Sequence, residues 1–308
     1  MQEFKSGFVS IIGRTNVGKS TLMNALAKEK VSIITSKVQT TRTAIKAIVN
    51  REHSQIVFID TPGIHKPKNK LGKIMVETAT DSLTDVDVIL FVVEANAKAE
   101  IGKGDRFLLE KLKEKKRNVI LIINKIDKIK KEVLAKMIET YRVEYDFKAV
   151  IPTIALKEKG IEDILIEIEK YLPIGPAYYS EDEYTDQTER QLAEEVIREK
   201  ALKLLDQEVP HGLYVEIEKL KQRKTTKGEQ IYDIEAVIYC LKKSHKGIII
   251  GKNGSMLKRI GQYARQDLEE MFGIKVNLQL WVKVKEDWIE NDQIVNKFNT
   301  LSSKKSRK

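Results

Sequence analysis

Apolar positions follow one pattern in the first half of this chain and another in the second. Residues 7–12, 44–50, 55–59, 87–94, 118–123 and 149–153 hold short continuous runs such as Ile56-Val57-Phe58-Ile59 and Val119-Ile120-Leu121-Ile122-Ile123. Runs of that length without alternation predict strands buried on both faces. Between them, residues 19–28, 70–83, 102–116, 131–142 and 161–171 carry apolar positions at helical spacing. The last of these, continued by Leu172, puts Ile161, Ile164, Leu165 and Ile168 on one face. Strands alternating with helices predict a doubly wound α/β sheet over residues 1–172. Pro173-Ile174-Gly175-Pro176 then interrupts regular structure, and the polar, acidic, tyrosine-bearing stretch that follows predicts a linker over 173–190.

A second domain is expected over 191–288. Ala193, Val196, Ile197, Ala201, Leu204 and Leu205 share one helical face. Leu213, Val215 and Ile217 alternate with polar residues, as do Tyr232, Ile234, Ala236, Ile238 and Cys240. That alternation predicts two strands with one buried face, joined by a basic loop over 221–228. A helix then ends at Ile248-Ile249-Ile250, and a second one turns Leu257, Ile260, Ala264, Leu268 and Met271 inward. The last strand, over 275–285, carries Trp281, with Trp288 just beyond it. Residues 289–308 read as a disordered polar tail ending in Lys304-Lys305-Ser306-Arg307-Lys308.

The chemistry of the first domain lies at predicted strand ends, where doubly wound sheets bind ligands. Gly13-Arg14-Thr15-Asn16-Val17-Gly18-Lys19-Ser20 is a complete GxxxxGKS loop between an apolar strand and a helix opening at Thr21. Its glycines let backbone N–H groups face the phosphates, Lys19 reaches the β/γ oxygens, and Ser20 can ligate Mg²⁺. Asp60-Thr61-Pro62-Gly63 ends the next buried run; Asp60 can hold Mg²⁺ through water, and the Gly63 N–H can meet a γ-phosphate. Asn124-Lys125-Ile126-Asp127 ends a third. A carboxylate there accepts both the N1–H and the exocyclic amine of guanine, a donor pair adenine lacks, so GTP is expected over ATP.

These motifs, in this order and spacing, resemble the translation-factor-type GTPases, and the NVGKS and DTPG forms resemble the Era-like group within them. The resemblance implies GTP/GDP and Mg²⁺ as cofactors, with a first switch in Thr35-Ser36-Lys37-Val38-Gln39-Thr40-Thr41-Arg42-Thr43. One of its threonines, Thr41 in preference to Thr40, closes on Mg²⁺ when the γ-phosphate is present. Thr153-Ile154-Ala155 stands where such proteins carry a fifth element, with Ile154 replacing its serine, so the Ala155 N–H is left to meet guanine O6. Ile64 replaces the water-orienting glutamine of Ras-like enzymes, which implies slow hydrolysis leaning on Lys19, Thr41 and Gly63. Asn16 has two readings: holding K⁺ beside the β/γ-phosphates, or capping the loop's own backbone.

Helix–strand–strand–helix–helix–strand, with Gly251-Lys252-Asn253-Gly254 between the two central helices, is the order of a type II KH domain. Residues 241–266 contain seven Lys or Arg and no Asp or Glu. A GxxG loop lets single-stranded phosphates approach while bases splay onto an apolar groove. The expected contacts are Lys246, Gly247, Ile250, Gly251, Lys252, Asn253, Gly254, Lys258 and Arg259, with Lys252 foremost. Together the two domains resemble the Era-like family over nearly the whole chain. Further matching blocks are Glu194-Glu195-Val196-Ile197-Arg198-Glu199-Lys200 and Leu280-Trp281-Val282-Lys283-Val284-Lys285-Glu286-Asp287-Trp288. The resemblance implies a GTP-hydrolysing switch that binds the 3′ end of 16S rRNA, acts in 30S subunit maturation and touches the cytoplasmic membrane peripherally. A relative serving the large subunit would carry two G domains, and this chain has one phosphate loop. A phosphotransferase would need an acceptor pocket that the sequence does not announce.

Composition narrows this further. At 308 residues, 42% apolar and 32% charged, the chain can bury two modest cores. A formal net charge of +10 points to a polyanionic partner without saying which, and the KH resemblance implies RNA and not DNA. One cysteine, Cys240, excludes an internal disulfide and fits a cytoplasmic setting. No apolar run approaches the roughly 20 residues of a membrane span. A monomer is the expected state.

Overall fold

The computed structural model describes residues 3–35, 37, 41–63, 69–82, 84–114, 117–206 and 209–296. They form two compact units. Thr41–Asp186 and the chain up to Ser32 make the first; Gln187–Val295, with the short piece Ile33–Thr40, makes the second.

The first unit is built on strands β1 (Lys5–Ile12), β2 (Ile45–Arg51), β3 (Ser54–Asp60), β4 (Val88–Glu94), β5 (Asn118–Asn124) and β6 (Ala149–Thr153). Their order is β2-β3-β1-β4-β5-β6. All pairs are parallel except β2 with β3. Helices α1 (Lys19–Ala27) and α5 (Ile161–Glu169) bury Val9, Ile11, Phe58 and Leu90 on one face. Helices α3 (Lys103–Lys113) and α4 (Lys131–Glu144) bury Ile12, Ile89, Phe91 and Leu121 on the other. Helix α2 spans Lys70–Asp81, started by the Asn69 side chain accepting the Gly72 N–H at 2.7 Å. Layers on both faces explain the continuous apolar strands. Register then sets the site: Ile11 pairs with Asp60, and Asn124 lies between Glu94 and Thr153, so the ends of β1, β3 and β5 open on one edge.

Residues 173–186, expected as part of a linker, lie with the first unit. Lys5 bridges Ile174 and Ala47 bridges Thr185. Gln55 Oε1 accepts the Tyr178 and Tyr179 N–H groups at 2.7 and 3.0 Å, and the Tyr178 ring sits 4.8 Å from Phe8. One buried amide thus ties the segment to β3.

The second unit begins with α6 (Glu189–Leu204), whose capping box pairs Thr188 with Gln191, slightly ahead of the expected start. Strands β7 (Tyr214–Lys224) and β8 (Gln230–Cys240) pair antiparallel, and β9 (Lys275–Val284) joins β8 parallel. The basic loop expected over 221–228 is shorter than the sequence suggested. Lys221 to Lys224 continue β7 because Asp233, opposite Lys221, takes Arg223 in a diagonal ion pair at 2.5 Å. Alternating like signs across the hairpin would have ended it sooner.

Helices α7 (Lys243–Ile250) and α8 (Ser255–Phe272) join α6 over one sheet face, burying Ile249, Ile260, Ala264 and Leu268 against Ile217, Ile234 and Ile238. The other face is partly covered too. Tyr214 stacks on Tyr239 at 4.5 Å, Trp288 leans on Tyr214 at 4.7 Å, and Trp288 Nε1 donates to the Gly212 carbonyl at 2.9 Å. The expected tail starts as structure: α9 (Asp292–Val295) buries Ile294 and Val295. Apolar side chains at its start bind it where composition alone suggested disorder. Residues 297–308, with the basic run, lie outside the described residues. Among those described, no helix is long and apolar enough to cross a membrane.

Candidate nucleotide and RNA sites

The phosphate loop leaves β1 and enters α1 at Gly18, whose φ of 102° is left-handed and whose missing Cβ would lie 2.3 Å from Asn124 Nδ2. Glycine is required there twice over, by conformation and by space. Lys19 is buried, and its ammonium donates to the carbonyls of Gly13 (3.1 Å) and Arg14 (2.9 Å). Val17 is core, Thr15 is half-buried, and Asn16 is exposed with φ 64°. Thr21 lies in the first turn of α1. Gly63 closes on the loop from β3, since a Cβ there would meet Thr15 Cγ2 at 2.7 Å.

Asp60 sits beneath the loop with no solvent exposure. Its Oδ2 accepts Ser20 Oγ at 2.9 Å, Ser32 Oγ at 3.1 Å and Thr41 Oγ1 at 3.4 Å, and Ser20 and Thr41 oxygens are 3.0 Å apart. Its Oδ1 is buried with no hydrogen-bond partner among the described residues. Burial pushes this carboxyl above the usual range, against Lys19 and the three hydroxyls, which lower it. A buried carboxylate oxygen without a partner is costly unless a cation compensates it. Hard oxygen donors and an orphaned carboxylate are the donor set Mg²⁺ prefers, so these residues fit that ion. Thr61 hangs its hydroxyl on the Ile11 carbonyl at 2.9 Å, fixing the turn before Pro62. Thr40 and Ile64 lie outside the described residues.

At the end of β5, Asn124 is a hub. Its Nδ2 donates to the Val17 carbonyl at 2.9 Å, and its Oδ1 accepts the Ala155 N–H at 3.0 Å and the Thr153 hydroxyl at 3.4 Å. The Ala155 N–H, expected at guanine O6, braces Asn124 in this structure. Ile154 pairs its backbone with Lys159, closing the loop after β6. Lys125, in left-handed backbone at φ 62°, donates to the Asn16 carbonyl at 2.6 Å. Ile126 is half-buried and Asp127 exposed in the turn Ile126–Lys128. The sequence reading missed Glu94, which pairs with both Lys125 (3.2 Å) and Lys128 (2.8 Å) from β4. Only its place at the end of the neighbouring strand could have suggested it.

Burial lowers the Lys19 ammonium to about 8, opposed by Asp60. A bound phosphate favours the charged form, so binding takes up a proton once the pH exceeds that value. GDP affinity is therefore expected to be flat below about pH 8, where Lys19 is charged with or without ligand, and to fall above it. The fall approaches about tenfold per pH unit. A Lys19→Arg variant, which keeps its charge, should lack it. Nucleotide titration is common to both proteins, so parallel curves would assign the effect elsewhere.

In the second unit the GxxG follows α7 and leads into α8. Gly251 (φ 72°), Asn253 (φ 51°) and Gly254 (φ 76°) are all left-handed. A Cβ at Gly251 would meet Met256 Cβ at 2.8 Å, whereas at Gly254 it would meet nothing, leaving room for a ligand's backbone. Lys252 and Asn253 are exposed at the tip; Lys246 and Gly247 are exposed and Ile250 half-buried on α7. Beside the loop runs a groove of about 450 Å³ lined by Gly254, Leu257, Lys258, Gly261, Arg265 and Leu280, among others. Arg259 is exposed outside that lining. Gly261 and Arg265 were missed by the sequence reading; a glycine inside a helix was the available signal.

Two family models match the chain: one described as a 50S ribosome-binding GTPase over residues 8–125, and one described as a KH domain over residues 208–289. The GTPase Era of Caldanaerobacter subterraneus subsp. tengcongensis is 52% identical, covering 96% of this chain and 97% of its own length. That of Clostridioides difficile is 53% identical over 96% and 98%. A crystal structure of Era with MgGDPNP and nucleotides 1506–1542 of 16S ribosomal RNA superposes with a TM-score of 0.90 at 40% identity, covering 96% of this chain and 98% of that one. An Aquifex aeolicus Era variant bound to GDP and AlF4⁻ gives 0.89 at 40% identity, over 96% and 99%. Half of all positions identical along nearly the full length of both chains, with both domains matched, decides the membership: this chain belongs to the GTPase Era family.

Proposed function

We propose that this GTPase uses the loop from Gly13 to Thr21, Asp60 to Gly63, Asn124 to Asp127 and Ala155 to bind GTP. Its second domain grips single-stranded RNA at the 3′ end of 16S rRNA during 30S subunit maturation. The observation that carries the nucleotide half is the gathering of the Ser20 and Thr41 hydroxyls on Asp60 Oδ2 at the foot of the loop, while Asp60 Oδ1 stays buried without a hydrogen-bond partner among the described residues. Ser20 and Thr41 would hold Mg²⁺ directly and Asp60 through water, and the ion would neutralise charge on the β/γ oxygens. Lys19, charged near neutral pH and aimed at the loop, orients those oxygens. The Gly63 N–H tracks the γ-phosphate, and Asn124 with Lys125 fixes the base side of the loop while Asp127 reads guanine. The RNA half draws on the related Era structure that carries 16S nucleotides, together with the acid-free stretch over 241–266 and the groove beside the GxxG, where leucines stand next to Lys258 and Arg265.

The setting proposed is cytoplasmic, as a monomer, with peripheral membrane contact through the basic tail. In-cell crosslinking through position 252 tests the whole reading. Recovered RNA should map to the 3′ end of the small-subunit rRNA; recovery of large-subunit rRNA would replace this reading with the large-subunit one.

Catalysis is proposed to depend on a monovalent cation held by Asn16, which supplies the charge that an arginine finger supplies elsewhere. GTP hydrolysis should be several-fold faster in K⁺ than in Na⁺, and the difference should shrink in Asn16→Ala. Equal rates in both salts would leave Asn16 with its backbone role alone.

A further inference from the structure

We propose that Arg14 is a positioning residue whose side chain, anchored on α3 and α4, holds the phosphate loop in its binding shape and sets how long the nucleotide stays bound. The inference rests on the nucleotide site proposed above. Arg14 Nε donates to Asp105 Oδ1 at 2.8 Å, and the Tyr141 hydroxyl donates to Asp105 Oδ2 at 3.4 Å. Asp105 lies in the first turn of α3 and is 2% exposed; Tyr141 lies on α4 and is fully buried. One carboxylate therefore joins the phosphate loop to two helices. Burial raises the Asp105 carboxyl, and the Arg14 guanidinium opposes that. Losing Arg14 would leave a buried acid short of its partner.

A second feature points the same way. Gly104 stands in the first turn of α3, where alanine would favour the helix more. A Cβ at Gly104 would lie 2.5 Å from Arg14 Cδ and 3.1 Å from its Cγ. The helix is bare at the one spot where the arginine stem crosses it. That stem emerges from a residue whose carbonyl accepts the Lys19 ammonium at 2.9 Å, two positions before the left-handed Asn16. Freed of its anchor, the segment from Arg14 to Asn16 gains conformers in which its N–H groups no longer face the phosphates. Weakened preorganisation of this kind shows chiefly as faster release.

Gly104→Ala separates this role from a merely structural one. The added methyl displaces the arginine stem but favours the helix, which offsets part of the cost of leaving Asp105 without its partner, so the melting temperature of the nucleotide-free protein should fall less than in Arg14→Ala. Release of a fluorescent GDP analogue from the full chain should nonetheless quicken about tenfold, as for loss of one charge-assisted hydrogen bond. Arg14→Ala should quicken release similarly, and the double variant should be no faster than Arg14→Ala, because both changes remove the same tie. Parental release in Gly104→Ala, or effects that multiply in the double variant, would overturn the proposal. A parent chain that fails to bind the analogue would overturn the nucleotide site itself, and this inference with it.

Discussion

Replacing Lys252 and Asn253 with aspartate is expected to weaken RNA retention by about a hundredfold or more at low salt, where attraction to phosphates dominates affinity. The two side chains are exposed at the GxxG tip, so the change disturbs no packing. It turns one positive and one neutral group into two negative ones beside the phosphate path, in a stretch that otherwise carries no acid. The salt dependence should flatten as well, by about one unit of slope for each phosphate that is no longer neutralised. Retention of an oligoribonucleotide from the 16S 3′ end, measured at two salt concentrations, reads both effects. GDP affinity should be unchanged, since the residues proposed to hold nucleotide lie in the first unit. A double variant that holds the strand as tightly as the parent would strip the KH domain of its proposed role.

Lys19→Ala should lower GDP and GTP affinity by at least about a hundredfold, the scale of losing a charged donor shared between phosphate oxygens. Stability of the empty protein should barely fall. The ammonium is buried against two carbonyls, and burial already works against its charge. Calorimetric titration with GDP gives the affinity and thermal melting gives the fold. Tight GDP binding by a folded Lys19→Ala variant would refute the loop assignment.

Much of this architecture was legible along the chain because local rules decide it. Continuous apolar runs marked β3, β4 and β5, and helical spacing marked α5 and α8, while the start of α6 at Thr188 came only with the structure. The phosphate loop, the DTPG turn and NKID could be found because each depends on a fixed spacing within a single strand end. Even the KH order followed from two alternating strands and one pair of glycines.

What remained hidden depends on residues distant in sequence whose meeting no local pattern records. Arg14 gave no sign of its partner 91 positions away. The apparent linker is held to the first unit because Gln55 happens to face two tyrosine backbones. The β7–β8 hairpin runs past its expected end with Asp233 opposite Lys221 and paired diagonally with Arg223. Tyr214 reads as the solvent side of its strand, and only Trp288 folding back makes it core. The sequence by itself determined the elements and the chemistry at their ends, since periodicity and motif spacing act within a few residues. The tertiary structure alone decided which side chains brace the loop and which faces are covered, because burial and pairing depend on what the fold brings alongside.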